Sequence, residues 1–244
     1  LQIDFGGQTT TVGNNIGASV SWTIPASWNA YLPTTTSGTA DLICTTYDSD
    51  NNVVDTAQTV SIVLYVDTDT YRPVIPTFTL TDNDAAASAV EDPGEFVRFL
   101  SDLYITGTVT LPANSGTTIS TVSITAGGTT QTVSGANVAV QFDNIAANSF
   151  TVTATDARGI SVVGTQNINL IAYSIPTLTG SVVRQSPASD IVEITFAGTF
   201  FNGMIGSNSN VPSLSYYYKR TNNSTWISGG ETISPTISGS GYSG

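Results

Sequence analysis

The stretch Phe150-Thr151-Val152-Thr153-Ala154-Thr155-Asp156 decides the fold class. Apolar and hydroxyl-bearing side chains alternate along it, so that an extended strand would have one apolar face and one polar face. The turn Ala157-Arg158-Gly159 follows, and Val162-Val163-Gly164-Thr165 begins a second β-rich run. This succession predicts an antiparallel hairpin with one face in a core and the other in water.

A related pattern occurs earlier in the chain, where Leu42-Ile43-Cys44-Thr45-Thr46-Tyr47-Asp48 and a turn precede Val53-Val54-Asp55-Thr56. Each copy is followed by an element in which Tyr shortly precedes Pro, first at Tyr71-Arg72-Pro73-Val74-Ile75-Pro76 and again at Tyr173-Ser174-Ile175-Pro176. Proline cannot donate to a strand ladder and favours an extended residue before it, so these elements predict short linkers.

The repeat predicts an all-β chain of tandem immunoglobulin-like antiparallel β-sandwich domains joined by short Pro-containing linkers. We expect domains at residues 1–70, 71–172 and 173–244, the first incomplete at its N-terminus and the last at its C-terminus. The chain begins at Leu1 rather than Met, which predicts a piece of a longer polypeptide. Residues 94–104 have a helix-like composition, and a short helix there stays open as an alternative to strand.

Composition excludes several classes of function. The 244 residues carry 18 acidic and six basic side chains, for a net charge of -12, with no histidine and one cysteine. Nucleic-acid binding is excluded because six scattered cations cannot neutralise a run of phosphates. Histidine-based triads, histidine zinc sites and a disulfide framework are excluded as well. The apolar runs are short, which predicts no membrane insertion, and Cys44 in one such run predicts a small buried side chain.

The acidic residues predict no enzyme, because no pair of carboxylates is placed by a motif and most Asp residues lie in turns. They do suggest two calcium sites, since oxygen-bearing side chains at alternate positions are typical of calcium loops. The alternatives are an Asx-rich turn for the first site and solvated loop charge for the second. The candidate ligands are Asp48, Asp50 and Asn52 in the first site, and Asp67, Asp69, Asp82 and Asp84 around the first linker.

Aromatic residues provide candidates for glycan binding, because exposed rings can stack on sugars. These candidates are Trp28, Tyr31 and Tyr217. The alternative is that the rings pack in a core, as a Trp in a β-sandwich usually does; Trp22 fits this alternative best.

Two stretches resemble a known family. Ser21-Trp22-Thr23-Ile24-Pro25-Ala26-Ser27-Trp28-Asn29-Ala30-Tyr31-Leu32-Pro33 followed by Thr45-Thr46-Tyr47-Asp48 is the first, and Thr153 to Gly159 through Tyr173-Ser174-Ile175-Pro176 to Val183-Arg184 is the second. In order, they resemble the siphophage minor structural, or tail-tip and tail-fibre, proteins with tandem Ig-like domains.

The resemblance implies a non-enzymatic component of a bacteriophage tail, in the tail tip, baseplate or fibre, that spaces or presents host-adsorption elements. It implies an extracellular place in the virion, other phage tail proteins as partners and a homo-oligomeric state. Two alternatives stay open: a module that itself binds host cell-surface polysaccharide, and a bacterial surface adhesin built from Ig-like repeats.

Overall fold

The computed structural model describes residues 1–187, 191–219 and 223–244, and it confirms the predicted all-β class. One helical segment lies within those residues, the 3-10 helix Ala26–Tyr31. The first ten strands are β1 (Gln2–Phe5), β2 (Gln8–Thr11), β3 (Ser37–Cys44), β4 (Gln58–Tyr65), β5 (Thr79–Asp82), β6 (Phe96–Val97), β7 (Leu103–Thr108), β8 (Ile119–Ala126), β9 (Thr129–Ser134) and β10 (Asn137–Phe142). The remaining strands are β11 (Ser149–Asp156), β12 (Ser161–Asn167), β13 (Leu170–Ile171), β14 (Thr177–Arg184), β15 (Val192–Thr199), β16 (Met204–Ile205), β17 (Asn208–Ser209), β18 (Leu214–Tyr218), β19 (Ile227–Ile233), β20 (Thr236–Ser238) and β21 (Gly241–Ser243).

The strands form several sheets that are mainly antiparallel, whereas β6 and β13 pair in parallel. The four-stranded sheets have the orders β2-β1-β3-β4, β12-β11-β8-β9 and β14-β15-β21-β20. A three-stranded sheet has the order β10-β7-β5, and β16 with β17 and β18 with β19 form two-stranded sheets. Among the described residues, no helix is both long and apolar enough to cross a membrane.

The chain divides into two compact units. The first contains Leu1–Thr79, Ile105–Val140 and Ser149–Asn167, and the second contains Leu80–Tyr104, Gln141–Asn148 and Ile168–Gly244. The first unit takes in residues from both the first and the second predicted domain. The boundaries near residues 70 and 172 stay a prediction.

Strand β11 shows why the Thr and Val alternation forms this sheet. Phe150, Val152 and Ala154 are buried, and the threonines between them are half-buried on the opposite face. Val152 lies opposite Ile124 of β8, so the apolar faces of neighbouring strands coincide in one core. Hydroxyl groups on the neighbouring strands β8 and β9 bond across the ladder, as between Ser123 and Thr132 at 2.8 Å. Apolar burial holds one face while hydroxyl pairs hold the other.

The sheet β2-β1-β3-β4 has its own core in the first unit. Ile3 and Phe5 of β1 and Ala40 of β3 are buried there together with Trp28 and Leu32 from the 3-10 segment. Cys44, the last residue of β3, lies beyond this core opposite Gln58 and is exposed. The prediction of a buried Cys44 was therefore wrong, because the apolar run continues past the end of the packed layer.

Residues 94–104 contain no helix. Phe96 and Val97 form the short buried strand β6, which pairs in parallel with Leu170 and Ile171 of β13. The Ser101 hydroxyl accepts a hydrogen bond from the Val97 N–H at 2.6 Å, which ties the turn after β6. The local pattern of these residues fitted either a helix or a strand, and pairing with β13 makes Phe96 and Val97 a strand.

Candidate functional site

Trp28 lies in the core of the first unit. Its ring is 5.2 Å from that of Trp22 and 5.3 Å from that of Phe5, measured between centroids, and the residue is 6% exposed. The 3-10 turn places it there, since the Trp28 N–H donates to the Pro25 carbonyl at 3.0 Å. A sugar could not stack on this ring, because its faces are inside the protein. Trp28 therefore packs in a core, as the alternative to glycan binding holds.

Tyr31 lies at the rim of the same cluster and is partly exposed. Its ring meets Phe5 edge-on at 5.9 Å. It also covers Gly6, whose positive φ of 63° and whose lack of a Cβ let the ring lie directly against the backbone. Tyr31 is 41% exposed, so this residue is available to a ligand where Trp28 is not.

Arg158 connects several segments of the first unit, and no role was predicted for it from the sequence. It comes from the turn between β11 and β12 and is buried. Its Nε donates to the Leu32 carbonyl at 2.6 Å, and its Nη2 donates to the carbonyls of Asn29 at 2.9 Å and of Ser115. The guanidinium thus joins the 3-10 segment, the loop before β8 and the β11–β12 turn.

The surroundings of Arg158 are built to hold it. The buried Asp156 carboxylate accepts the N–H groups of Arg158 at 2.9 Å and of Ile160 at 2.8 Å, which shapes the turn. Burial lowers the pKa of the Arg158 guanidinium from its ordinary value, and the negative charge of Asp156 acts against that change. A Cβ on Gly116 would collide with the Asn29–Ala30 peptide, so glycine lets the two segments meet.

The predicted calcium loop at Asp48 is an Asx turn. One carboxylate oxygen of Asp48 accepts the N–H groups of Asp50 at 2.9 Å and of Asn52 at 2.8 Å. The other accepts the Asn52 side-chain amide at 3.1 Å. The bonds from Asn52 lower the pKa of Asp48, because they stabilise its charged form.

The other predicted calcium ligands also bond to nearby groups. Asp67 accepts the N–H of Asp69 and both the N–H and the hydroxyl of Thr70, and the bonds from Thr70 lower its pKa. Asp82 accepts the N–H of Asp84 at 2.8 Å, and Asp84 in turn accepts two backbone N–H groups. Within the residues that the structure describes, no three Asp, Glu, His or Cys side chains gather as metal ligands.

An acidic cleft in the second unit was not predicted. It has a volume of about 410 Å³ and is lined by Asp82, Glu91 and Glu95 among others. Burial and then the adjacent Asp82 charge raise the pKa of Glu91 to about 7, and the Ser101 hydroxyl donates to it at 3.3 Å. Glu91 is therefore a carboxyl group that titrates near neutral pH. The sequence carried no signal for it, because Asp82 and Glu91 meet only through the fold.

The hairpin β18–β19 carries the last predicted glycan residue. Tyr217 is exposed, whereas the Tyr216 ring covers Gly229 and its hydroxyl donates to the Gly229 carbonyl at 3.2 Å. Trp226, which was not predicted, is also exposed, and Lys219 Nζ lies 4.8 Å from the centre of its ring. The hairpin, with the residue just before β19, therefore offers three exposed rings, those of Tyr217, Tyr218 and Trp226.

Comparisons with known proteins point to one family. No curated protein and no solved structure matches the chain. The model of one family matches residues 1–227, and its description is siphovirus protein of unknown function (DUF859). Since the match spans nearly the whole chain, the chain belongs to this family of siphovirus proteins.

Proposed function

We propose that the chain is a non-enzymatic structural component of a siphophage tail, in the tail tip, baseplate or fibre, where it spaces or presents host-adsorption elements. The observation that carries the proposal is the family match over residues 1–227 of an all-β chain. Its partners are then other tail proteins and further copies of itself, and its place is the virion outside the cell. The family match favours this role over a bacterial adhesin.

The use of the side chains supports a structural role. Trp28, Arg158 and Asp48 are all engaged in holding the fold. Tandem Ig-like domains would supply length and stiffness, and the β-rich repeat with its Pro-containing segments is the basis for that part of the proposal.

Locating the chain in the particle tests the proposal. Antibodies raised against the chain are added to purified phage, and the particles are imaged by electron cryomicroscopy. We expect density at the tail or its tip, and none with antibodies first absorbed on the pure chain. Intact particles that contain no copy of the chain by mass spectrometry would refute the role.

Direct binding of host polysaccharide is the second candidate, favoured by the exposed rings of Tyr31 and Tyr217. Weak binding at one site would be strengthened by many copies on one tail. A glycan array tests it with Tyr31→Ala and Tyr217→Ala, and with Tyr47→Ala as a control at another exposed tyrosine. The candidate predicts a signal that falls in at least one of the first two variants; no signal, or the same signal in all three, contradicts it.

A further inference from the structure

We propose that β14 (Thr177–Arg184) is the surface through which copies of this chain associate, with the β14 strands of two copies paired side by side. The proposal deepens the homo-oligomeric state given above and does not depend on which tail part the chain occupies. Strand β14 pairs with β15 along all eight residues and stands first in the order β14-β15-β21-β20. Its other long side has no strand partner among the residues that the structure describes.

Strand β14 is exposed along its whole length. All eight residues are exposed, including Leu178 at 62% and Val182 at 65%. Leu178 and Val182 share a face, and Ile194 lies directly opposite Val182 on β15 and extends that face. The hairpin β18–β19 covers the face only in part, leaving a cleft of about 180 Å³ next to Leu178 and Val182. Apolar side chains beside an unpaired backbone edge favour the addition of another strand.

Nothing in β14 blocks such pairing. Edge strands are usually protected by lysine, proline, a bulge or an inward charge. The strand has none of the first three, and its one charged residue, Arg184, is at its end.

Another exposed edge shows the contrast. Strand β4 lies last in the order β2-β1-β3-β4 and exposes Val60 and Val63. However, Asp55 and Asp67 flank it in sequence, and Asp41 lies opposite Ser61 within its ladder. Two copies brought together at β4 would place like charges side by side, which disfavours their association.

The distribution of charge in the sequence also favours β14 over β4 as the contact between copies. Residues 173–244 contain three acidic and three basic side chains, which give a net charge of zero. The remaining 15 acidic and three basic side chains lie in residues 1–172 and give -12, the whole charge of the chain. The sheet β14-β15-β21-β20 itself contains only two charged residues, Arg184 and Glu193, so two copies that meet at β14 bring no excess of one charge to the contact.

We expect β14 of one copy to pair with β14 of a second copy, and not with a different strand, because pairing of different strands would continue from copy to copy as an open array. Two identical strands related by a two-fold axis pair antiparallel, and each satisfies the free edge of the other. The arrangement is closed, so association stops at two copies and the two four-stranded sheets become one. We therefore expect a dimer of the 25.4 kDa chain.

Mass measured by light scattering over a range of concentrations tests the proposal with the full chain. We expect the wild type to have twice the mass of one chain, and Val182→Lys to have the mass of one. The matched control is Val63→Lys, which adds the same charge to an exposed valine of β4, 53% exposed, and should leave the dimer intact. Circular dichroism shows whether each variant is folded, and Leu178→Lys replaces Val182→Lys if that variant is not.

Hydrogen exchange gives a second readout that needs no substitution. Amides of β14 should exchange more slowly as the protein concentration rises, while those of β4 should not change. A monomeric wild type, a dimer unaffected by both β14 variants, or equal concentration dependence of the two strands would overturn the proposal. Species larger than two copies would overturn the closed dimer. Failure to find the chain in the tail would leave these results unchanged, so the two proposals fail separately.

Discussion

At the scale of single residues, Arg158 connects segments of the first unit that are far apart in the sequence. Its guanidinium donates to backbone carbonyls of Asn29, Leu32 and Ser115. Carbonyls of irregular segments have no ladder partner, so a buried side chain that satisfies several of them stabilises the segments together.

We expect Arg158→Met to lower the free energy of unfolding by about 3 kcal/mol, because it leaves buried carbonyls without donors. Urea unfolding followed by circular dichroism measures the effect. Arg72→Met is the control, since Arg72 is exposed and its loss should change stability by less than about 0.5 kcal/mol. Equal effects of the two substitutions would contradict the role of Arg158.

Glu91 predicts a pH dependence of stability. Its pKa is raised in the folded protein from 4.5 to about 7, so the folded state holds the proton more tightly than the unfolded state. The contribution of Glu91 to the free energy of unfolding is therefore greatest below pH 4.5, and it is lost as the pH rises through about 7. Glu91→Gln should remove that fall and raise the melting temperature above pH 7 relative to wild type.

Melting temperatures measured across this pH range check the prediction. The exposed Glu193 provides the control substitution Glu193→Gln, which should keep the wild-type slope. A wild-type slope in Glu91→Gln would show that other groups cause the pH dependence.

A test at Asp48 distinguishes a turn from a calcium site. Its carboxylate already accepts three hydrogen bonds from Asp50 and Asn52, so we expect the melting temperature to be the same with calcium and with a chelator. Asp48→Ala should lower the melting temperature through loss of the turn. A melting temperature that rises with calcium in the wild type and not in Asp48→Ala would instead support the calcium prediction.

Residue roles were the hardest part to predict from the sequence. The exposure of a ring depends on what packs against it, and Trp28 is covered by Phe5 and Trp22 from other segments. Arg158 finds an acceptor at Leu32, 126 residues away in the chain. Contacts at such separations cannot be predicted from local sequence patterns. The Asx turn at Asp48, in contrast, involves residues within four positions and was recognised as an alternative.

At the scale of elements, the alternating pattern predicted strands well. In β11 every second residue is buried, as the Thr and Val alternation requires. The hairpin of β11 and β12 is present, with Thr155 opposite Ser161 across the turn. Residues 94–104 could not be assigned because a short apolar run fits either helix or strand until its partner strand is known.

The elements of the first unit also predict how it unfolds. Strands β1 to β4, with the 3-10 segment, and strands β8, β9, β11 and β12 belong to one compact unit, so we expect them to unfold together. Trp226→Phe leaves Trp22 and Trp28 as the only tryptophans, and their fluorescence then reports the first of these groups. Adding Val152→Ala in β11, where Val152 is fully buried, should lower the fluorescence midpoint by the equivalent of about 2 kcal/mol.

Independent domains at residues 1–70 and 71–172 would give the opposite result. Val152→Ala would then leave the tryptophan signal unchanged and shift only the circular dichroism of the remaining chain. Val163→Ala, at an exposed position of β12, is the control and should move neither signal.

At the scale of the whole molecule, the charge is uneven along the chain. All of the net charge of -12 is in residues 1–172. The sequence alone was enough to predict the all-β class, because that class follows from the period of the apolar side chains. It could not show which edges remain unpaired, since that depends on the strand order.

We expect added salt to raise the melting temperature, because it screens repulsion among the acidic side chains of residues 1–172. The same salt should lower the dimer dissociation constant, because each copy carries a net charge of -12 and screening weakens the repulsion between copies. Thermal melts and sedimentation at low and moderate salt measure both quantities. A dissociation constant that rises with salt would show instead that opposite charges hold the copies together.

The exposed end of β3 has a practical consequence. Cys44 is the one thiol in the sequence and it is exposed, beyond the packed layer. A maleimide reagent would therefore attach one gold particle or one fluorophore to each chain, at a known position and without engineering. Counting such labels on any assembly that contains the chain would give the number of copies in it.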